Sequence, residues 1–408
     1  MSGEHEPAAA PSGGRVPAPR LLSGGMGRPG ALREFLHDEA VGGVALLIGA
    51  VTALVWANVS PEGYEAFWHT SADVAGLHLD LRHWINDGLM AVFFFVVGLE
   101  IKRELVAGEL RDRRAALLPA IAAAGGVALP ALLFVAITAG SGDTAGWALP
   151  AATDIAFAIG VLALLGDRVP AGAKLFLLTI AIVDDIAAIA IIALFYTDTI
   201  AVGWLLAAGV TFAFVAAMRR AGVPWVMAYV LIGICAWVEL HESGVHATIA
   251  GVALGLMTPA TPVRGREVLV ELEHRLHPIS ALAIVPLFAL ANAGVALGGG
   301  VIGDAFSSRL AWAVVVGLVV GKTLGIAGGT FLGLRGGWGR LPDGVAHAHV
   351  WGLAMLGGIG FTVSLFIAQL AYDDPATIAT AKIGILAASV VAAVLGAATL
   401  ARTRAAAR

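Results

Sequence analysis

The chain has 408 residues, of which 59% are apolar and only 13% charged, and its mean hydropathy is +0.87. Soluble domains run at roughly 45–50% apolar and about 25% charged, so a soluble globular reading is excluded. The single cysteine, Cys235, excludes an intrachain disulfide, and the net charge of −4 says little about partners, because where the charges sit matters more than their sum.

Residues 1–30 are rich in Gly, Pro, Ala and Arg and hold no apolar run. They read as a disordered cytoplasmic tail rather than a signal peptide, whose apolar core is missing. A membrane domain over 31–402 and a short tail over 403–408 follow. A spanning helix needs about 20 apolar residues, so about 241 apolar positions (59% of 408) suffice for about twelve helices. The expected segments are 37–58, 82–106, 115–139, 148–166, 172–196, 200–218, 223–240, 245–260, 276–297, 309–333, 348–371 and 377–401.

Arginine and lysine set the orientation. With the N-terminus inside, 21 of the 25 basic residues fall on cytoplasmic segments. Arg82 and Arg309 fall outside, and Lys322 and Lys382 lie within apolar segments. Both termini are therefore expected in the cytoplasm. The first outer loop carries Tyr64, Phe67 and Trp68, then Leu77, Leu79 and Leu81 alternating with polar residues, so a short strand or hairpin is expected there. It serves either as a dimer contact or as an interfacial belt.

An ionisable group deep in a bilayer is costly, which makes each one a functional candidate. "PAATDIAFAIG" puts Asp154 in helix four, "LTIAIVDDIAAIAII" puts Asp184 and Asp185 mid-helix five, and "VVGKTLGIAGG" puts Lys322 mid-helix ten. Three acids face one base, which leaves about two carboxylates to bind a mobile cation or take up protons. The adjacent Asp184 and Asp185 diverge by about 100° around the axis, so one can face an ion and the other a neighbouring helix. Lysine suits that second role, because buried lysine can lose its proton where arginine cannot.

Asp87 lies near the outer end of helix two, where a structural role is as good a reading as a functional one. Glu100 and Glu104 share a face at its inner end, beside Lys102 and Arg103, as a solvated ion-pair patch or a sensor. Thr153 offers a hydroxyl oxygen suited to a hard cation. Pro150 and the run Gly357, Gly358, Gly360 and Thr362 interrupt helices four and eleven. Two broken helices at matching positions of inverted repeats, here helices three to five and ten to twelve, point to a midplane binding site.

Three apparent motifs fail on spacing. "GLVVGKT" has three residues between its glycines where a phosphate loop needs four, and it lies within an apolar helix. His241 and His246 are five apart, so they share no helical face for zinc. Adjacent aspartates on one helix diverge too far to share a proton as a protease dyad does. No nucleotide, nucleic acid or enzymatic cofactor is expected, and the chain does not read as an enzyme. A solute symporter would need a roomier site, and a channel a filter or charged ring.

The long motifs "WINDGLMAVFFFVVGLEIKREL", "PAATDIAFAIGVLALLG", "AIVDDIAAIAIIALFY", "SGVHATIAG", "LEHRLHP", "PLFALANAG", "GKTLGI" and "GGIGFTVSLFIA" resemble the NhaA-type sodium/proton antiporters of bacteria, over about residues 33–400. That resemblance implies an all-α polytopic inner-membrane protein of about twelve helices. It also implies electrogenic exchange of cytoplasmic Na+ or Li+ for external H+, in pH and sodium homeostasis. It implies Asp185 as principal sodium ligand beside Asp184, with Asp154 and Thr153 at the helix crossing and Lys322 paired with Asp184. Asn86 and Asp87 match the polar pair of helix two. Glu100, Glu104, Glu273, His274 and His277 match positions of pH response at the cytoplasmic funnel, and His246 matches the histidine of "GVHAT". A homodimer through the first outer loop, set in membrane lipid, is implied too. The longer N-terminal tail departs from the family pattern.

Overall fold

The computed structural model describes residues 29–74, 77–197 and 200–403. Of the two expected tails, residues 1–28 and 404–408 lie outside the described residues, and Pro29 and Gly30 already belong to the first helix. Helices dominate, as the apolar periodicity requires. In chain order they are α1 (Pro29–Val59), α2 (Pro61–Trp68), α3 (Leu81–Val106), α4 (Arg113–Thr138), a 3₁₀ segment (Asp143–Ala151) and α5 (Ile155–Leu165). There follow α6 (Ala171–Phe195), α7 (Val202–Arg220), α8 (Val226–Glu242), α9 (Thr248–Met257) and α10 (Val268–Asn292). The remainder are α11 (Val301–Ser307), α12 (Arg309–Arg335), α13 (His347–Leu356), α14 (Phe361–Ala371) and α15 (Pro375–Arg402).

Among the described residues, eight helices are long and apolar enough to cross a bilayer alone. The 3₁₀ segment with α5, and α13 with α14, form two more spans, bent by 40° and 44° at their breaks. The chain is therefore a membrane protein. The seventh and eighth expected segments are α8, with 17 residues, and α9, with only 10. At 1.5 Å per residue α9 covers about 15 Å, half of the hydrocarbon core, so the expected span over 245–260 is a short helix that needs neighbours to complete the crossing. The expected segment 276–297 also differs: α10 starts at Val268, because "ELEHRLHP" is amphipathic and a hydropathy window passes over it. It stops at Asn292, before the glycine-rich stretch that leads to α11.

The first interhelical loop holds β1 (Ser71–Val74) paired antiparallel with β2 (Leu77–Asp80), in the register Ser71↔Asp80 and Ala72↔Leu79. Leu81 leaves the alternating pattern to start α3, because the Asp80 side chain caps the backbone N–H of His83. Between the end of α1 and α2, Trp56, Tyr64, Phe67 and Trp68 pack edge-on and tilted at 4.9–6.3 Å between ring centroids.

The core between the two repeats rests on small residues. Gly125 of α4 and Gly325 of α12 lie so close that a Cβ on either would meet the other's carbonyl oxygen. Close backbone approach through small residues is how helices associate in lipid, where no hydrophobic drive separates protein from solvent. One turn from that contact, Lys322 is fully buried.

Candidate functional site

Two helix breaks meet back to back. Pro150 and the extended residues Ala152–Asp154 end the first half-helix, and Gly357–Gly360 end α13. A broken helix leaves carbonyls and N–H groups that lipid cannot satisfy. Each break supplies the other. Ser364 Oγ donates to Leu149 O at 2.7 Å, Thr153 Oγ1 reaches Gly357 O at 2.8 Å, and the Asp154 N–H donates to Ile359 O at 2.6 Å. Gly358 has no room for a Cβ against the Leu318 carbonyl of α12, so the second break needs glycine there.

One carboxylate faces both half-helix N-termini. Asp154 Oδ1 accepts from Phe157 N at 2.9 Å, which makes it the N-cap of α5. Asp154 Oδ2 accepts from Thr362 N at 3.0 Å and Thr362 Oγ1 at 2.6 Å, in the first turn of α14. The positive ends of two helix dipoles thus converge on one buried acid, 2% exposed. Thr362 was not among the site residues expected from sequence, and its hydroxyl after a glycine run was the available signal.

Beside the crossing, Lys322 Nζ donates to Asp184 Oδ2, with both side chains fully buried. Thr153 Oγ1 lies 2.9 Å from the same oxygen. A hydroxyl carries one proton, so Asp184 Oδ2 and Gly357 O compete for it. Asp184 Oδ1 and Asp185 Oδ1 are buried and accept no hydrogen bond among the described residues. The strongest fields on Asp185 come from Asp184, Glu100 and Asp154, three acids, with Lys322 the opposing base. Asp154, Asp184, Asp185, Thr153 and Lys322 are therefore brought into one constellation with surplus negative charge and two open oxygen acceptors.

The sequence profile of the Na+/H+ antiporter 1 family matches residues 33–400. The chain belongs to that family. Among its relatives, Na(+)/H(+) antiporter NhaA 2 of Erythrobacter litoralis is 48% identical over 376 residues, covering 91% of this chain and 93% of that one. Na(+)/H(+) antiporter NhaA of Nocardia farcinica is 48% identical over 380 residues, covering 91% of both chains. The NhaA of Serratia proteamaculans is 46% identical over 373 residues, covering 90% and 96%.

In this Na+/H+ antiporter family member the remaining expected residues fall into two groups at opposite ends of α3. At the end away from the hairpin, Arg103 Nη1 pairs with Glu273 Oε1 at 2.6 Å and Nη2 with Glu104 Oε1 at 3.2 Å. Glu104 Oε2 also accepts from Glu109 N at 3.0 Å, which caps the next turn. His277 Nε2 lies 3.7 Å from Glu100 Oε1, and His274 is on the exposed face of α10. Arg103 is the hub of this group, although the sequence reading treated it only as a neighbour. At the hairpin end, Asn86 and Asn292 exchange side-chain hydrogen bonds at 3.3 and 2.7 Å. Asp87 lies 4.0 Å from His241, and the charge of His246 also acts on it. His246 thus stands apart from Glu100, Glu104, Glu273 and His277. Asn292 and His241 were missed, since neither lies near its partner in sequence.

Proposed function

We propose that the chain is a secondary transporter that exchanges cytoplasmic Na+, or Li+, for external protons at the aspartate constellation, with the hairpin end outside and both termini in the cytoplasm of a bacterial inner membrane. The observation that carries this reading is the pair of buried carboxylates, Asp184 and Asp185, each with an oxygen that has no hydrogen-bond partner among the described residues, while Lys322 is in contact with Asp184. Hard monovalent cations take carboxylate, hydroxyl and carbonyl oxygens, and Thr153 stands beside them. No organic solute is needed to account for that chemistry.

The two cargoes compete. With Asp185 deprotonated, Na+ binds between the open oxygens, and its charge weakens the hold of Lys322 on Asp184. A proton then leaves, from either member of a pair whose titrations are shared. When Asp184 is protonated instead, the Thr153 hydroxyl is free to turn to Gly357 O, so the proton state of the acid is relayed to the broken backbone of α13–α14. Rocking of the bundle that carries both breaks then exposes the site to the other side. Because more protons enter than sodium ions leave, exchange is electrogenic.

The Arg103–Glu104–Glu273 cluster, with Glu100, His277 and His274 near it, is read as the cytoplasmic pH-responsive element. His246 would serve the same response from the opposite end. The hairpin offers unpaired strand edges through which a second copy can form a dimer. In everted vesicles, addition of Na+ should collapse a preformed acid-inside gradient. Sodium-driven proton efflux that survives Asp185→Asn would refute the exchange site.

A further inference from the structure

The acids carried by the membrane-spanning segments are compensated in different ways. Asp184 has Lys322 and Glu273 has Arg103, each a basic side chain in direct contact. Asp154 has two helix N-termini. Asp87 differs from all of them. Among the described residues, the charged groups that act on it are His241 from the end of α8, His83 from the first turn of α3, and His246 from the turn before α9. Histidine changes charge between about pH 5 and 8, so the compensation of Asp87 is set by the local proton concentration.

The geometry around His241 is built rather than loose. Trp237 and His241 are four residues apart on α8 and stack, with centroids 5.7 Å apart and planes 14° from parallel. Trp237 stacks in turn on Trp84 of α3, at 6.0 Å and 20°. The Trp237 indole N–H donates to the Asp87 carbonyl at 3.0 Å. That carbonyl lies in Trp84–Leu89, where α3 widens to π geometry, a local loosening of helix bonding that recurs at functional sites. The same indole therefore fixes both the backbone of Asp87 and the plane of His241, with His241 Nδ1 4.0 Å from Asp87 Oδ2. Both side chains are partly exposed, at 28% and 23%. His83 is partly engaged elsewhere, 2.7 Å from Asp80 Oδ1.

We propose that His241 is the proton-loading residue of the hairpin-end mouth, taking a proton from water on that side and holding it beside Asp87. The inference rests on the exchange reading above and adds to it a residue that the midplane site does not include. The step balances simply. Hydronium on the hairpin side protonates Nε2 and leaves water. The imidazolium gives its Nδ1 proton to Asp87 Oδ2, directly after a small ring movement or through one water, and returns to a neutral ring. One proton has moved inward, and the ring is left as the Nε2–H tautomer, having started as the Nδ1–H one.

The test uses the full chain in right-side-out and everted vesicles, so that pH is varied on one side at a time. His241→Leu, which keeps bulk and loses titration, should displace the hairpin-side pH profile of exchange toward acid by about one unit, a tenfold greater proton demand. The profile from the other side should not move. His241→Gln, which keeps polarity but cannot titrate in this range, should behave as the leucine variant does. An unchanged hairpin-side profile in both variants, or equal shifts on both sides, would overturn the proposal. A second readout needs no transport: in ¹⁵N-histidine spectra of the detergent-solubilised chain, the His241 titration midpoint should fall in Asp87→Asn. A midpoint that does not respond to Asp87→Asn refutes the pairing, whether or not the chain exchanges ions.

Discussion

Lys322 and Asp184 form an ion pair with neither side chain exposed, yet one carboxylate oxygen of Asp184 has no hydrogen-bond partner among the described residues. Breaking a buried pair by removing one member leaves an uncompensated charge and costs about 3–5 kcal/mol, whereas removing both members costs far less. Lys322→Ala should therefore lower the melting temperature of the purified protein sharply. Lys322→Met combined with Asp184→Leu should recover most of the loss while remaining inactive. Equal destabilisation by the single and double variants would show that the pair does not carry the stability assigned to it.

Thr362→Val removes a hydroxyl that donates to Asp154 at 2.6 Å but keeps the backbone N–H bond to the same oxygen. A hydrogen bond to a charged group contributes about 1.5–3 kcal/mol. The variant should stay folded, since only one of several ties across the crossing is lost, and its sodium half-saturation concentration should change by several-fold. Unaltered sodium dependence in vesicle exchange would mean that the hydroxyl does not tune Asp154.

A methyl group on Gly325 would meet the Gly125 carbonyl across the α4–α12 contact. Overpacking of this kind costs about 1–3 kcal/mol. Gly325→Ala should lower thermal stability by that order. It should also impair exchange more than its stability loss explains, because Lys322 lies one turn away on the same helix. Melting and transport measured together separate the two effects, and wild-type transport in a destabilised protein would contradict the positional argument.

The hairpin junction has its own pH dependence. Burial pushes the Asp80 carboxyl up, but the backbone N–H and ring of His83 and the ring of His69 hold it below the ordinary carboxylate range overall. A depressed carboxyl contributes stability above its unfolded value of 3.8, and that contribution is lost as pH falls through the lower folded value. Amide exchange in Ser71–Val74 and Leu77–Asp80 should accelerate as pH drops below about 4, after correction for intrinsic rates. Asp80→Asn should show the faster exchange at neutral pH as well. Protection in that variant equal to wild type would remove the cap from the account.

Much of this arrangement is legible in the sequence where the cause is local. Pro150 and the run Gly357–Gly360 announce two breaks, because proline and glycine act on the backbone in place. Leu77 and Leu79 announce a strand, although Leu81 belongs to the helix that Asp80 caps. Isolated aspartates in apolar runs stand out by their cost alone. The start of α10 was not legible by hydropathy, since Glu271, Glu273, His274 and Arg275 dilute its apolar face. Thr362 on Asp154, Asn292 on Asn86 and His241 on Asp87 depend on contacts between residues 154 to 208 apart in the chain, and no local pattern encodes such a contact. Arg103 was visible, but only folding decides which acids it reaches.

The central claim is that Asp184 and Asp185 hold a cation or protons, but not both together. Isothermal titration of Na+ into the purified protein at fixed pH, repeated across the alkaline range in buffers of different ionisation enthalpy, measures both events at once. Binding should release protons, with affinity rising as pH rises, and Asp185→Asn should abolish the heat. Sodium binding of undiminished affinity in that variant, or binding without proton release at any pH, would contradict it.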